Sequence, residues 1–339
     1  MAGAATLRSL LGSVLALAVG LALLAVVIAH SDLGQVADLL TGLSFGGALA
    51  VMALFSLAWA AEIVAWALTF TARAVRGLWL WQLWLVNMVG EAMNVVMPFG
   101  SLGGEPVKAW LLKRHYEVGY REAAATLVLM QTLLALAEAL FVAIGALLAA
   151  ALGILPPAIE HLLSGAALAL VVLMGLAMLG LHQRWLRRGL DAFEQRFGGP
   201  RYAAVKDSLH EVEAALADFA RAQPRRFAGS TLLFLVNWIG GAAEIWLLLH
   251  LLGAALPFAH CWVAEAAVVT IRSLTFFLPA QLGSVEAVTV YVVSALGGSA
   301  EIGLALAALR RARELAWSAL GLGVGAAYHL DWRAAARQS

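Results

Sequence analysis

Positions 304–317 read LALAALRRARELAW, so that Arg310, Arg311, Arg313 and Glu314 interrupt a run that is otherwise apolar from Ile302 to Tyr328. A guanidinium stays charged at any ordinary pH and presents five donors in a rigid fork that fits a carboxylate or a phosphate. Two chemistries follow. The arginines either pair with the carboxylates of neighbouring helices, or line an aqueous cavity that binds an anion. Carboxylates for the first are at hand in equally apolar surroundings: Glu62, Glu91, Glu105, Glu138, Glu244 and Glu286. The i, i+3, i+4 spacing puts Arg310, Arg313 and Glu314 on one helix face and turns Arg311 about 100° away. Arg310 lies about nine residues into its helix, roughly 14 Å deep, where an uncompensated arginine costs at least about 2.5 to 3.5 kcal/mol.

Other chemistry has little support. The single cysteine, Cys261, excludes an internal disulfide framework and a thiolate metal cluster. His250, His260 and His329 fall near helix ends with no second ligand at metal spacing. GSLGGE (100–105) lacks the lysine and the strand of a phosphate-binding loop. We therefore expect no enzyme activity, no cofactor and no metal. Trp79, Trp81 and Trp84 read as an interfacial belt, and Lys108 as either a snorkelling residue or part of a cavity.

The elements that must carry these charges are membrane helices. Of 339 residues 63% are hydrophobic and 13% charged, against roughly 25% charged in soluble domains. Runs of about 20 apolar residues, the length that spans a bilayer, recur along the chain. Helices are expected over about 9–29, 46–72, 79–97, 121–152, 161–183, 228–252, 257–278 and 301–328. The first follows Arg8 and reads as a retained helix. Two pieces, about 105–114 and 284–297, are too short to cross, and each follows a proline and glycines: MPFGSLGGEPVKAW (97–110) and LPAQLGSVEAVTV (278–290). They read as re-entrant hairpins, whose open backbone is tolerated at membrane depth only against protein or a watery cavity. Helices starting near Glu105 and Ser284 would aim their amide ends inward, an arrangement suited to phosphate. Residues 184–227 mix charge with apolar residues at helical spacing and read as a cytoplasmic amphipathic segment.

The two hairpins have matching surroundings. Glu105 lies seven residues after Pro98, as Glu286 does after Pro279; Glu91 and Arg272 lie seven before those prolines; AAEI stands at 60–63 and again at 242–245. The basic segments put both termini in the cytoplasm and open the hairpins to opposite faces. The fold class expected is an all-α polytopic membrane protein of about eight spans plus two re-entrant hairpins in inverted repeats. The first repeat takes 1–152, the fifth helix and amphipathic segment 153–227, and the second repeat 228–339.

EAMNVVMPFGSLGGE, LPAQLGSVE and LRRARE together resemble the transmembrane, flippase-like domain of the lysylphosphatidylglycerol synthase family, most closely its stand-alone, hopanoid-associated branch. The resemblance runs from about Glu62 to the end. It implies movement of a polar or anionic lipid between leaflets of the bacterial inner membrane; with no aminoacyl-transfer domain in this sequence, aminoacyl-lipid synthesis is not implied. On this reading Arg272, Arg310, Arg313 and Glu314 hold the head group, Glu91 and Asn94 line the path, and Glu105 and Glu286 orient the hairpin tips. Gly103, Gly104 and Gly283 make the tight turns. The partner is a membrane lipid, phospholipid or hopanoid-like, with no nucleic acid and a possible homo-oligomer. The alternatives are an accessory protein that presents lipid to an enzyme, and an ion-coupled small-solute transporter.

Overall fold

The computed structural model describes residues 21–22, 24–26, 28–29, 31–96, 103–183, 218–275, 278 and 281–328. The first helix through residue 20, Pro98, Pro279, the segment 184–217 and His329 lie outside the described residues. The rest is helical, with no strand among the described residues. The helices are α1 Leu33–Thr41, α2 Phe45–Thr69, α3 Gly77–Val96, α4 Gly104–Tyr116, α5 Tyr120–Leu152, α6 Pro157–Gln183, α7 Pro224–Leu251, α8 Phe258–Leu274, α9 Ser284–Ala295 and α10 Ala300–Ala327.

Local sequence explains the ends. Ser44 caps α2 by accepting from Gly47 N at 3.0 Å, Ser299 caps α10, and Pro224 sits in the first turn of α7, where its missing N–H has no partner to lose. Gly153 closes α5 at φ 59°. One helix was not expected. Asp32 accepts from the amides of Gly34 and Gln35 at 2.9 and 3.2 Å and starts α1, which packs on α10 where the sequence reads as a plain connection. At the other extreme α8 stops at Leu274, earlier than the apolar run suggests, with the Thr275 hydroxyl bonded back to Ile271 O at 2.7 Å.

Among the described residues three helices are long and apolar enough to cross a membrane: α2 with 25 residues, α5 with 33 and α7 with 28. The 28-residue α10 is as long, but it carries its arginines at mid-length. Helices α4 and α9 have 13 and 12 residues, about 20 Å at 1.5 Å per residue and short of a full crossing. The radial distribution of side chains is that of a membrane protein. Leu57, Leu147, Leu168 and Leu232 stand out at 70%, 71%, 66% and 61% exposure, while Glu62, Lys108, Glu244, Glu265 and Glu286 are buried. Water would select the reverse; hydrocarbon outside and polar contacts inside select this.

Two apolar cores lie along the bundle. One gathers Trp66, Leu83, Leu111, Met130 and Leu133 from α2 to α5; the other gathers Phe141, Ile245, Val263, Val292 and Leu306 from α5 and α7 to α10. Helices α5 and α7 run through both.

Candidate functional site

The arginines of α10 reach carboxylates on three other helices. Arg310 donates from Nη1 and Nη2 to the two oxygens of Glu265 on α8 at 2.7 and 2.8 Å, a bidentate pair, and its Nε is 3.4 Å from Glu244 on α7. Arg313 brings Nε within 2.5 Å of the other Glu244 oxygen and lays its guanidinium 3.8 Å over the Phe55 ring. Arg311 donates to Glu286 on α9 at 2.7 and 3.1 Å and to Glu314 at 2.9 Å. The second Glu286 oxygen accepts from Gly283 N at 2.7 Å, closing the start of α9.

A second network belongs to α3, α4 and α5. The fully buried Lys108 donates to Glu91 and Glu105, both at 2.9 Å, and Gln131 donates to the same Glu105 oxygen at 3.0 Å. Asn94 donates to Glu91 at 3.4 Å and accepts from Gly104 N at 2.7 Å, so it holds the first amide of α4, as Glu286 holds that of Gly283, the residue before α9. Gly104 belongs there for a steric reason: a Cβ would sit 2.1 Å from the carbonyl oxygen of Gly90 on α3. Only a glycine allows that approach of backbone to backbone.

Between the networks is a cavity of about 320 Å³. Four arginines line it, Arg272, Arg310, Arg311 and Arg313, together with the carboxylates Glu62, Glu91, Glu286 and Glu314. Its apolar wall is aromatic: Phe55, Trp59 and Trp317 touch one another at centroid distances of 4.4 to 6.0 Å, and Trp238 adds a further face. Glu91 and Glu314 are 42% and 46% exposed at the side chain, on the open side. Arg272 differs from the other three arginines. It makes no ion pair among the described residues, and its Nε is buried with no hydrogen-bond partner among them. A buried donor without a partner is costly, on the order of 1 to 3 kcal/mol, unless something else accepts from it.

The family described as "Lysylphosphatidylglycerol synthase TM region" matches residues 13–323. The chain belongs to that family. No curated protein and no solved structure matches it. Membership makes it an integral membrane protein, in accord with the apolar exterior.

Within this family member the expected site residues divide. Arg272, Arg310, Arg313, Glu314, Glu91 and Glu286 line the cavity. Asn94, Glu105, Gly103, Gly104 and Gly283 stand behind it, at the starts of α4 and α9. Gly103 has φ −68°, so no left-handed turn requires it, whereas Gly283 at φ 81° is a position that favours glycine.

Four readings need correction. Arg311 does not point away from the site: α9 packs along α10 and brings Glu286 round to it, so all three arginines of the cluster face the cavity. The starts of α4 and α9 are not bare: Asn94 accepts from Gly104, the first residue of α4, and Glu286 accepts from Gly283, the residue before α9, so one amide at each end already has a partner. Lys108 does not snorkel; two carboxylates hold it inside. Of the three tryptophans, only Trp81 is exposed, at 57%; Trp79 is buried on Phe70, and Trp84 packs on Trp59 and Trp317.

Sequence reasoning passed over Glu265, Asn87 and Asn237. Glu265 had a signal, since it stands alone in an apolar run seven residues before Arg272 and hence on the same face of α8. The asparagines had none, and are discussed below for their contact with Glu62. Among the described residues no group of three metal-binding side chains comes together.

Proposed function

We propose that this protein moves a polar or anionic lipid head group between leaflets through the charged cavity, with the acyl or polycyclic tails left in the bilayer. The observation that carries the reading is Arg272, a cavity-lining cation inside a membrane protein with no ion pair among the described residues. A charge at that depth is expensive, and an anionic head group supplies what it lacks. Arg272 makes the first contact; Arg311 and Arg313, paired but with parts of their guanidinium edges on the cavity, share the phosphate as it passes. Arg310, held at one edge by Glu265 and at Nε by Glu244, positions α10 instead of binding. No bond is made or broken in this reading, so the protein is a transporter and no enzyme.

Alternating access through inverted repeats suits the packing. Pairing α2 with α7, α3 with α8, α4 with α9 and α5 with α10 maps most neighbours onto neighbours, with α5 on α7 the exception: α3 on α4 matches α8 on α9, α4 on α5 matches α9 on α10, and α3 on α10 matches α8 on α5. The last two crossings even share a device. A Cβ on Gly321 of α10 would meet Met88 O of α3 at 2.4 Å, and a Cβ on Gly145 of α5 would meet the Ala266 Cβ of α8 at 2.4 Å. The pair α2 and α7, which makes the most extensive contact, stands at the centre. On this reading α4 and α9 are the re-entrant limbs, opening to opposite faces of a bacterial inner membrane with both termini cytoplasmic.

The test is reconstitution of the purified chain alone in liposomes containing a head-group-labelled anionic phospholipid, with an impermeant reductant reporting the outer leaflet. Movement above that of protein-free vesicles is expected. Movement only after addition of a membrane extract would favour an accessory protein that hands lipid to a partner.

A further inference from the structure

Glu62 and Glu244 occupy the same tetrapeptide, AAEI, on the two helices at the centre of the bundle, yet their surroundings are opposite. Glu244 faces Arg310 and Arg313. Glu62, 9% exposed, makes no ion pair among the described residues: its two oxygens accept from Asn87 Nδ2 on α3 and Asn237 Nδ2 on α7, each at 3.0 Å. It also lines the cavity, so it has a route to water that a core carboxylate lacks. From this geometry we infer that Glu62 is a proton-binding site that couples the cavity to a proton gradient, an inference that rests on the lipid-translocation reading.

Two amide donors and an opening onto the cavity leave the Glu62 carboxyl able to exchange a proton with water, whereas two guanidinium groups hold Glu244. When like residues sit in environments this different, they take different protonation roles. Asn87 is suited to serve both states of Glu62. Its Oδ1 is buried and has no hydrogen-bond partner among the described residues. As built, Nδ2 donates to the carboxylate; with the amide turned end for end, Oδ1 lies where Nδ2 now is and accepts the acid proton. Asn237 donates to the other oxygen in either state.

The charges facing Glu62 leave it this freedom. Its charged neighbours on α3 and α4 are Glu91 and Lys108, and Lys108 is already shared between Glu91 and Glu105. From α7 Glu244 is taken by two arginines, and Arg272 of α8, which lines the same cavity, acts on Glu138 and Glu265. On α10 Arg313 is spent on Glu244 and the Phe55 ring.

Glu62 lines the cavity together with four arginines. Protonating it removes one negative charge from that wall, so an anionic head group meets less repulsion there. Proton and head group therefore load together and leave together, each raising the affinity for the other, and the pair carries no net charge. The carboxylate O–H bond forms as the anion enters and breaks as the anion leaves, with the proton passing to water on the far side.

The test uses the whole chain. In lipid nanodiscs, pH-difference infrared spectra of the wild type are expected to contain an acid carbonyl band that Glu62→Gln lacks and that Asn87→Leu moves in frequency, the latter serving also if Glu62→Gln is not recovered. In liposomes carrying a labelled phosphatidylglycerol, a proton gradient directed with the lipid is expected to speed wild-type movement roughly fivefold or more, while a potassium diffusion potential does not; Glu62→Gln moves the probe at one rate with and without the gradient. A band unchanged in Glu62→Gln overturns the proton site. Wild-type movement indifferent to the gradient overturns the coupling. Vesicles that move no probe under any condition overturn the translocation reading itself, a result distinguishable from both because it precedes any comparison of variants.

Discussion

Removing Arg310 is expected to damage the fold before it damages transport. The side chain is 11% exposed and spans two helices, with two bonds to Glu265 at 2.7 and 2.8 Å and a contact to Glu244 at 3.4 Å; both glutamates are 3% exposed. In Arg310→Gln the neutral amide replaces at most one of the donors, and Glu265 keeps a charge that no other ion pair among the described residues relieves. Breaking a buried pair on one side costs about 3 to 5 kcal/mol, since the remaining charge is stranded in low dielectric. Glu244 contributes less to that loss because Arg313 still approaches it at 2.5 Å. The assay is thermal unfolding of the detergent-solubilised protein at a fixed scan rate, followed by tryptophan fluorescence, with Arg310→Gln/Glu265→Gln as the fourth corner of a cycle. Arg310→Gln should melt well below wild type, and the double variant should recover a large part of the difference. An Arg310→Gln protein as stable as wild type, or a double variant no better than the single, would refute the argument that this arginine ties α8, α7 and α10 together.

Arg272→Gln should do the reverse: with no ion pair to break, its melting changes by about 1 kcal/mol or less, while head-group movement in liposomes falls steeply; equal losses of stability and movement would count against its role. Gly104→Val should fail at folding, with yield lost and not merely activity, because its Cβ would stand 2.1 Å from Gly90 O; normal yield with normal melting would contradict the α3–α4 contact. In a Cys261→Ala background, Arg114→Cys and Ser299→Cys should label with an impermeant maleimide from opposite sides of sealed vesicles. Labelling of both from one side would end the inverted-repeat reading. Lys108→Met strands Glu91 and Glu105 together and is expected to lower melting more than Lys113→Met, since Lys113 is exposed and meets only the face of Tyr120 at 4.1 Å.

Composition and the length of apolar runs determined the solvent, the helical class and the approximate bounds of α2 to α10, because a bilayer tolerates only backbone that satisfies itself and so leaves the chain few options. The residues that matter were also legible as types. A charge in hydrocarbon is costly wherever it sits, so Glu62, Glu91, Glu244, Glu286 and the arginines of α10 marked themselves. Partnership was not legible. Spacing along one helix fixes which residues share a face, but the rotation of that face and the crossing of the next helix are set by packing between them, such as the contact of Gly104 with Gly90. That is why Arg311 seemed to point elsewhere until α9 brought Glu286 beside it, and why Glu265 went unnoticed until α8 laid it against Arg310. It is also why two copies of AAEI, identical as sequence, became one glutamate held by arginines and one held by side-chain amides without an ion pair among the described residues. Tertiary structure decided that difference, because the charge state of a buried carboxyl depends on what lies within a few ångströms of it in space and on nothing adjacent in the chain.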